Sequence, residues 1–381
     1  MRGFRLDSKI KKICHLTSVH TPFDTRIFHK ECKSLAGVGY EVHLIAAHDR
    51  EEIVDGIHMH PVRQFSGKIK RMLNATREVY KKALVGNYDA YHFHDPELIP
   101  FGVLLKLRGK TVVYDIHEDY PEYFKHKDAF PKALRIPFAV MIGILERFAC
   151  GHFDSLVTVT PHIYQRIAKL NKRSYLIRNF PDIEDSSPDI HDIPWESRSD
   201  TVAYVGSVSA DRGVREMVEA IGLIQSDISD ARLLLAGAFT GKAIEREISK
   251  MPGYVHVEYF GQAPRSKVIH ILNRSKIGIV VCHPLEHYKH AYSTKLFEYM
   301  SAGIPVIASD FPLWRKIVED SDCGIVVPPL DPKAIARAAL QLLKNPSDAE
   351  KMGKNGKEAV KNIYNWENEK RTLLELYKEL I

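Results

Sequence analysis

The chain has 381 residues, 45% hydrophobic and 27% charged, with a formal net charge of +6 at pH 7. That length predicts two domains, each able to bury its own core. No apolar run reaches the ~18 residues that cross a bilayer, which excludes a membrane-spanning class; "IPFAVMIGIL", residues 136–145, is too short.

The N-terminus "MRGFRLDSKIKKICHL" is basic but lacks an apolar stretch before a small-residue cleavage site, so no signal peptide is read and a cytoplasmic location is expected. Cys14, Cys32, Cys150, Cys282 and Cys323 are odd in number and contain no C-x-x-C pair, which predicts buried thiols rather than disulfides or a zinc site. Residues 1–170 carry 26 Lys+Arg against 19 Asp+Glu. Such charge suits nucleic acid, an anionic membrane or a phosphorylated small molecule. The first is set aside, since no zinc-finger spacing, aromatic RNA-binding motif or basic zipper accompanies it.

Short β-branched runs alternate with helical segments, the pattern of βαβ units and parallel sheets. In the first half strands are expected at 11–18, 40–47, 56–62, 89–94, 110–117, 154–160 and 174–179. The first leads into "VHTPFDTRIFHKE", placing His20, Asp24 and Arg26 at its end. "GKIKRMLNATREVYKKAL", residues 67–84, sets Ile69, Met72, Leu73, Val79, Tyr80 and Ala83 among six basic residues. It reads as the solvated face of a helix packed on the sheet, or as a helix resting on an anionic membrane. "HFHDPEL" brings His92, His94, Asp95 and Glu97, and "DIHEDYPE" brings Asp115, His117 and Glu118, to one edge. Clustered imidazoles and carboxylates at strand ends point to a site. An H-x-H strand also fits a metal-dependent hydrolase.

"PDIEDSSPDIHDIPWESRSD", residues 181–200, has linker composition and predicts a domain boundary. Strands then recur at 201–206, 231–237, 255–261, 276–282, 304–309 and 324–327, and from about 331 only helices are expected. Two doubly wound domains imply ligand binding beyond the carboxyl ends of their strands, in a cleft. After "TVAYVG", Gly206 turns the chain and Arg212 and Gly213 open a helix, which suits a phosphate: glycine admits close backbone approach, and arginine grips two oxygens. In "HAYSTKLFEYMSAGIPVIASD" Ser293 or Thr294 is the expected N-cap of a helix carrying Lys295 and Glu298. A lysine there opposes the helix dipole and asks for an anion nearby.

"YVGSVSADRGVREMVEA", "STKLFEYMSAGIPVIASD", "YDIHED" and "HFHDPEL" together resemble the group 1, or family 4, retaining glycosyltransferases of GT-B fold, over nearly the whole chain. The resemblance implies an α/β chain of two Rossmann-like doubly wound domains: 1–180 for the acceptor, 201–364 for the nucleotide-sugar, and a final helix, 365–381, crossing back to the first. It further implies metal-independent transfer, without cofactor, from a UDP- or GDP-linked sugar to a sugar or lipid-linked glycan of the cell envelope, with possible peripheral contact to an anionic membrane.

By the same resemblance Arg212 and Lys295 would neutralise the diphosphate, Glu298 would bind the ribose, and His117 would touch the transferred sugar. Gly206, Ser207, Gly261, His290, Ser293 and Thr294 fall on the donor side; the strand-end residues His20, Asp24, Arg26, His94, Asp95 and Glu118 lie in the domain that the resemblance gives to the acceptor, and are read as acceptor-side from their placement. The chain departs from the family where His290 stands at the first position of its glutamate pair, and Ser207 where many members carry arginine. "HTPFDTRIF" replaces the frequent double glycine of the first turn. These departures motivate a further alternative, a nucleotide-sugar-binding protein without turnover.

Overall fold

The computed structural model describes residues 10–65, 67–126, 132–182 and 193–381. It divides into a unit of Met1–Asn179 with Asn368–Ile381 and a unit of Phe180–Glu367. The described residues of the first unit form an eight-stranded sheet: β1 Lys12–Leu16, β2 Glu41–Ala47, β3 Glu52–Val54, β4 Ile57–Val62, β5 Ala90–Phe93, β6 Thr111–Ile116, β7 Ser155–Thr158 and β8 Ser174–Leu176. Their order is β3-β4-β2-β1-β5-β6-β7-β8. The central strands β1, β5, β6 and β7 are buried along nearly their whole length, so they read as apolar runs.

All seven expected strands form, and β3 is an addition. It pairs antiparallel with β4 through a turn in which Asp55 (φ 51°) and Gly56 (φ 78°) are both left-handed. That is the Asp-Gly geometry of a tight hairpin, so its signal was present in "VDGI". Helix Lys68–Gly86 buries Ala75, Val79 and Ala83, one every fourth residue, whereas Met72 and Leu73 of its expected apolar face are exposed. The side chains of Lys68, Ile69, Lys70 and Arg71 lie outside the described residues.

The second unit holds β9 Thr201–Val205, β10 Arg232–Ala236, β11 Val257–Gly261, β12 Ile277–Val280, β13 Val306–Ser309 and β14 Gly324–Val327. They form a parallel sheet ordered β11-β10-β9-β12-β13-β14. Helices Pro332–Lys344, Pro346–Asn362 and Trp366–Leu380 make the helix-only tail. Of the stretch read as linker, 183–192 lies outside the described residues, while Trp195 and Arg198 are built into this unit. Trp195 joins its apolar core, and the Arg198 guanidinium donates to the carbonyls of Leu272, Ser275 and Ala302. Pro, Asp and Ser content marks a lack of periodic structure, which does not prevent single side chains from anchoring. All five cysteines are free and buried.

Candidate functional site

In the second sheet the chain runs from β9 outward to β11, then returns to β12 on the other side of β9. The loops after β9 and β12 therefore diverge, and such a switch point is where open α/β sheets bind ligands. β9 and β12 pair only at Val202 with Ile277 and Ala203 with Gly278. Beyond that the Tyr299 hydroxyl fills the gap, accepting from the Val205 amide at 3.2 Å and donating to the Ile279 carbonyl at 3.2 Å. Tyr299 belongs to helix Thr294–Ser301, so this bridge ties the helix to the end of β9.

Lys295 is thereby laid across Gly206. A β-carbon at Gly206, whose φ is +123°, would lie 2.5 Å from Lys295 Cε and 3.0 Å from Nζ. The ammonium also stands 5.6 Å from the centroid of the Tyr204 ring. Arg212 closes the turn Ala210–Arg212 before Gly213, where φ is +77° and a β-carbon would meet the Val281 carbonyl oxygen at 2.0 Å, so only glycine fits. The Arg212 guanidinium lies beside the phenols of Tyr204 and Tyr288. Tyr288 in turn donates to Asp211 Oδ2 at 2.6 Å, and Tyr204 to the Ser207 carbonyl at 2.8 Å.

Burial, and then the field of Arg212, lowers the Lys295 pKa below the ordinary lysine value. Burial also works against the charge on Arg212, but the two phenols more than offset it and raise its pKa. Among the described residues neither cation forms an ion pair with a carboxylate; the nearby Glu298 instead has its Oε1 3.8 Å from Arg265 Nη1. Burial raises the Glu298 pKa against the pull of Arg265 and Lys295. Two like charges in each other's field, neither closely paired with a carboxylate among the described residues, are a standing cost that a bound polyanion would relieve.

The remaining donor-side residues are placed less uniformly. Ser207 is exposed beside Gly206. Gly261 ends β11 at φ +61° with open space around it, its carbonyl accepting from the Gly237 amide at 2.7 Å. Ser293 occupies the expected N-cap, but its hydroxyl makes no capping bond, and Thr294 is exposed. His290 is exposed, with Nε2 3.6 Å from Glu286 Oε2. Sequence reasoning missed Tyr204, Tyr288, Asp211, Tyr299 and Arg265. Only Asp211, adjoining Arg212, carried a local hint.

In the first unit the switch point lies between β1 and β5, whose register sets His15 beside His92. Asp95 Oδ2 after β5 accepts from Thr17 Oγ1 at 2.9 Å and from the Ser18 amide at 2.6 Å after β1. Arg26 is buried: Nε and Nη2 donate to the two oxygens of Asp115 at 2.8 and 3.2 Å, and Nη1 to the Ile177 carbonyl at 3.0 Å. Asp115 Oδ2 is also 3.0 Å from His117 Nε2 and 3.3 Å from His94 Nδ1. The arginine and the two imidazoles hold the Asp115 carboxyl well below the usual range despite its burial.

Arg26, His94 and Asp95, expected on an acceptor-facing edge, lie beneath the surface of that edge. All three are buried, and Arg26 and Asp95 bond to neighbouring groups of the same edge. Asp24 caps the wide helical turn Thr25–Cys32 by accepting from the Arg26 and Ile27 amides. What reaches the surface is His117, 14% exposed, half-buried His20, whose Nδ1 is 3.3 Å from Asp24 Oδ2, and exposed Glu118. The trio His94, Asp115 and His117 has metal-ligand character, yet Arg26 already takes both oxygens of Asp115, which leaves a hydrolytic metal no carboxylate there.

Two family profiles match the chain, Glycosyltransferase Family 4 over residues 25–185 and Glycosyl transferases group 1 over residues 185–359. The chain belongs to the group 1, family 4 glycosyltransferases. This glycosyltransferase is 26% identical over 181 residues to a phosphatidyl-myo-inositol mannosyltransferase of Mycobacterium leprae, an alignment covering 47% of the chain and 46% of that relative. Its fold is GT-B. Sucrose-phosphate synthase from Thermosynechococcus elongatus superimposes with a TM-score of 0.72 at 19% identity, covering 97% of this chain and 99% of that one. HepE of Anabaena, in complex with UDP and glucose, superimposes with a TM-score of 0.71 at 12% identity, covering 97% and 100%.

Proposed function

We propose that this glycosyltransferase moves a sugar, with retention of anomeric configuration and without a metal, from a nucleoside-diphosphate sugar to a hydroxyl of a lipid-linked or polysaccharide acceptor in envelope glycan synthesis. One observation carries the reading: Arg212 and Lys295 stand together at the β9/β12 switch point with no carboxylate paired to either. As the glycosidic bond breaks, negative charge grows on the leaving diphosphate. A cation at ~4 Å contributes up to ~4 kcal/mol at an effective dielectric of 20, before desolvation is subtracted.

The roles follow from chemistry. Arg212 grips two phosphate oxygens, and Lys295 supplies a point charge against the bond that breaks. Glu298 accepts from the ribose hydroxyls; Gly206 and Ser207 let backbone approach the phosphates; Gly261 leaves room for the base. We assign His117 to the transferred sugar, its ring held by Asp115, and His20 and Glu118 to the acceptor. The departing phosphate takes the acceptor's proton, so no carboxylate nucleophile is required.

The lipid-linked acceptor is favoured by the M. leprae relative, named for a lipid substrate, and by helix Lys132–Cys150, which exposes Ile136, Val140, Met141, Ile144 and Phe148 beside Arg147. No described helix is long and apolar enough to cross a membrane, so contact through that face would be peripheral. The test is a thermal-shift screen with UDP, GDP and their sugars, followed by donor hydrolysis. Stabilisation by one diphosphate, lost in Lys295→Ala and Glu298→Ala proteins that remain folded, is the expected result; unchanged binding in both overturns the donor assignment.

A further inference from the structure

Beneath the His117 edge, within the first unit, lies a second cluster that the transfer reaction does not use. His15 on β1, His92 on β5, His94 just beyond it and Glu31 from the turn Thr25–Cys32 are all fully buried. One ligand-type atom from each lies within 4.8 Å of the others. Glu31 Oε2 is 3.8 Å from His15 Nδ1, 4.0 Å from His92 Nδ1 and 4.0 Å from His94 Nε2, while the His15 and His94 nitrogens are 3.0 Å apart.

The carboxylate distances are too long for hydrogen bonds. Together with the 3.0 Å between the His15 and His94 nitrogens they straddle the ~3.4 Å between neighbouring ligands of a four-coordinate ion with bonds of about 2.0–2.1 Å. Glu31 Oε2 has no hydrogen-bond partner, an orphan in a site closed to solvent. The other oxygen, Oε1, lies 3.0 Å from Arg26 Nη2, so Oε2 is the atom left to meet an ion.

We propose that Glu31 Oε2, His15 Nδ1, His92 Nδ1 and His94 Nε2 bind a structural divalent ion of the zinc type. Three imidazoles and one carboxylate are its borderline donor set, and complete burial suits a closed structural site rather than a catalytic one. The far nitrogen of His94, Nδ1, faces Asp115 Oδ2 at 3.3 Å, the carboxylate–histidine arrangement that orients a metal-bound ring. Arg26 serves both Asp115 and Glu31, so one guanidinium and two carboxylates sum to one negative charge, which the ion reverses. His92 Nδ1 is 2.8 Å from the Tyr377 hydroxyl, and the ion takes over the lone pair that this phenol engages. The ion would knit β1 and β5 to the helical turn that carries Arg26, beneath His117.

The test uses the full-length, untagged chain produced with added zinc or cobalt. About one zinc should be retained per chain after gel filtration, the cobalt form should show the visible bands of a four-coordinate ion, and stripping with a chelator should lower the melting temperature. His60→Ala, which breaks the separate contact between His43 Nδ1 and His60 Nε2 at 3.0 Å on β2 and β4, should keep the metal, as should Tyr377→Phe. Glu31→Gln and His15→Gln should each lose at least four-fifths of it. A wild-type chain that retains no metal and shows no cobalt bands overturns the proposal without any variant. So does full retention in folded Glu31→Gln, or loss in His60→Ala.

Discussion

Lys295 lies across Gly206 so closely that a single added β-carbon would sit 2.5 Å from its Cε. Helix and strand meet there because the Tyr299 hydroxyl holds them from below, and the contact sets where the ammonium can stand.

Gly206→Ala should weaken binding of the preferred nucleoside diphosphate at least ten-fold. The new methyl displaces Lys295, and φ of +123° is strained for any other residue, at a cost of about 1 kcal/mol or more. Calorimetric titration gives the affinity and a melting curve the strain. Unchanged affinity would mean that Lys295 does not act from this position.

Affinity should also fall at alkaline pH. Burial and Arg212 lower the free Lys295 pKa, and a bound diphosphate raises it again. Between those two values the complex holds a proton that the free protein lacks, so binding takes one up and weakens as pH rises, by up to about ten-fold per unit. Titrations from about pH 7 to 10 in buffers of different ionisation enthalpy measure both effects. Lys295→Arg should flatten the profile; a flat wild-type profile would contradict the assignment.

Tyr299→Phe leaves the buried Val205 amide without an acceptor and the Ile279 carbonyl without that donor. The expected cost is ~1–3 kcal/mol of stability. Because the same hydroxyl positions the lysine helix, diphosphate affinity should fall alongside, whereas a substitution that acts on packing alone would lower melting temperature and leave affinity intact.

Arg26→Met should destabilise the chain by about 3–5 kcal/mol, since it leaves Asp115 buried without its cation. Denaturant unfolding measures this. If Arg26 instead touched the acceptor, the variant would keep its stability and lose acceptor affinity.

Strands, their alternation with helices and the two cationic turns were legible because each is written in a few consecutive residues. Gly206, Arg212 and Lys295 all follow predicted strands, and an open α/β sheet binds at that edge. The hairpin β3–β4 was legible too, in Asp55-Gly56, but three residues were too short to stand out as a strand. The burial of Arg26, His94 and Asp95 was not legible, for a physical reason. A polar residue after a strand can face outward to a ligand or inward to a buried partner, and local sequence does not distinguish the two.

By itself the sequence determined that this is a two-unit α/β chain with cations and imidazoles at its strand ends, since apolar period, turn residues and residue type are local properties. Tertiary structure alone decided that Tyr288, 76 residues away, comes beside Arg212, that Tyr299 spans the gap between β9 and β12, and that Glu31 faces His15, His92 and His94. Those pairings depend on strand order and register, which arise from the packing of distant segments and leave no trace in the spacing of neighbouring residues.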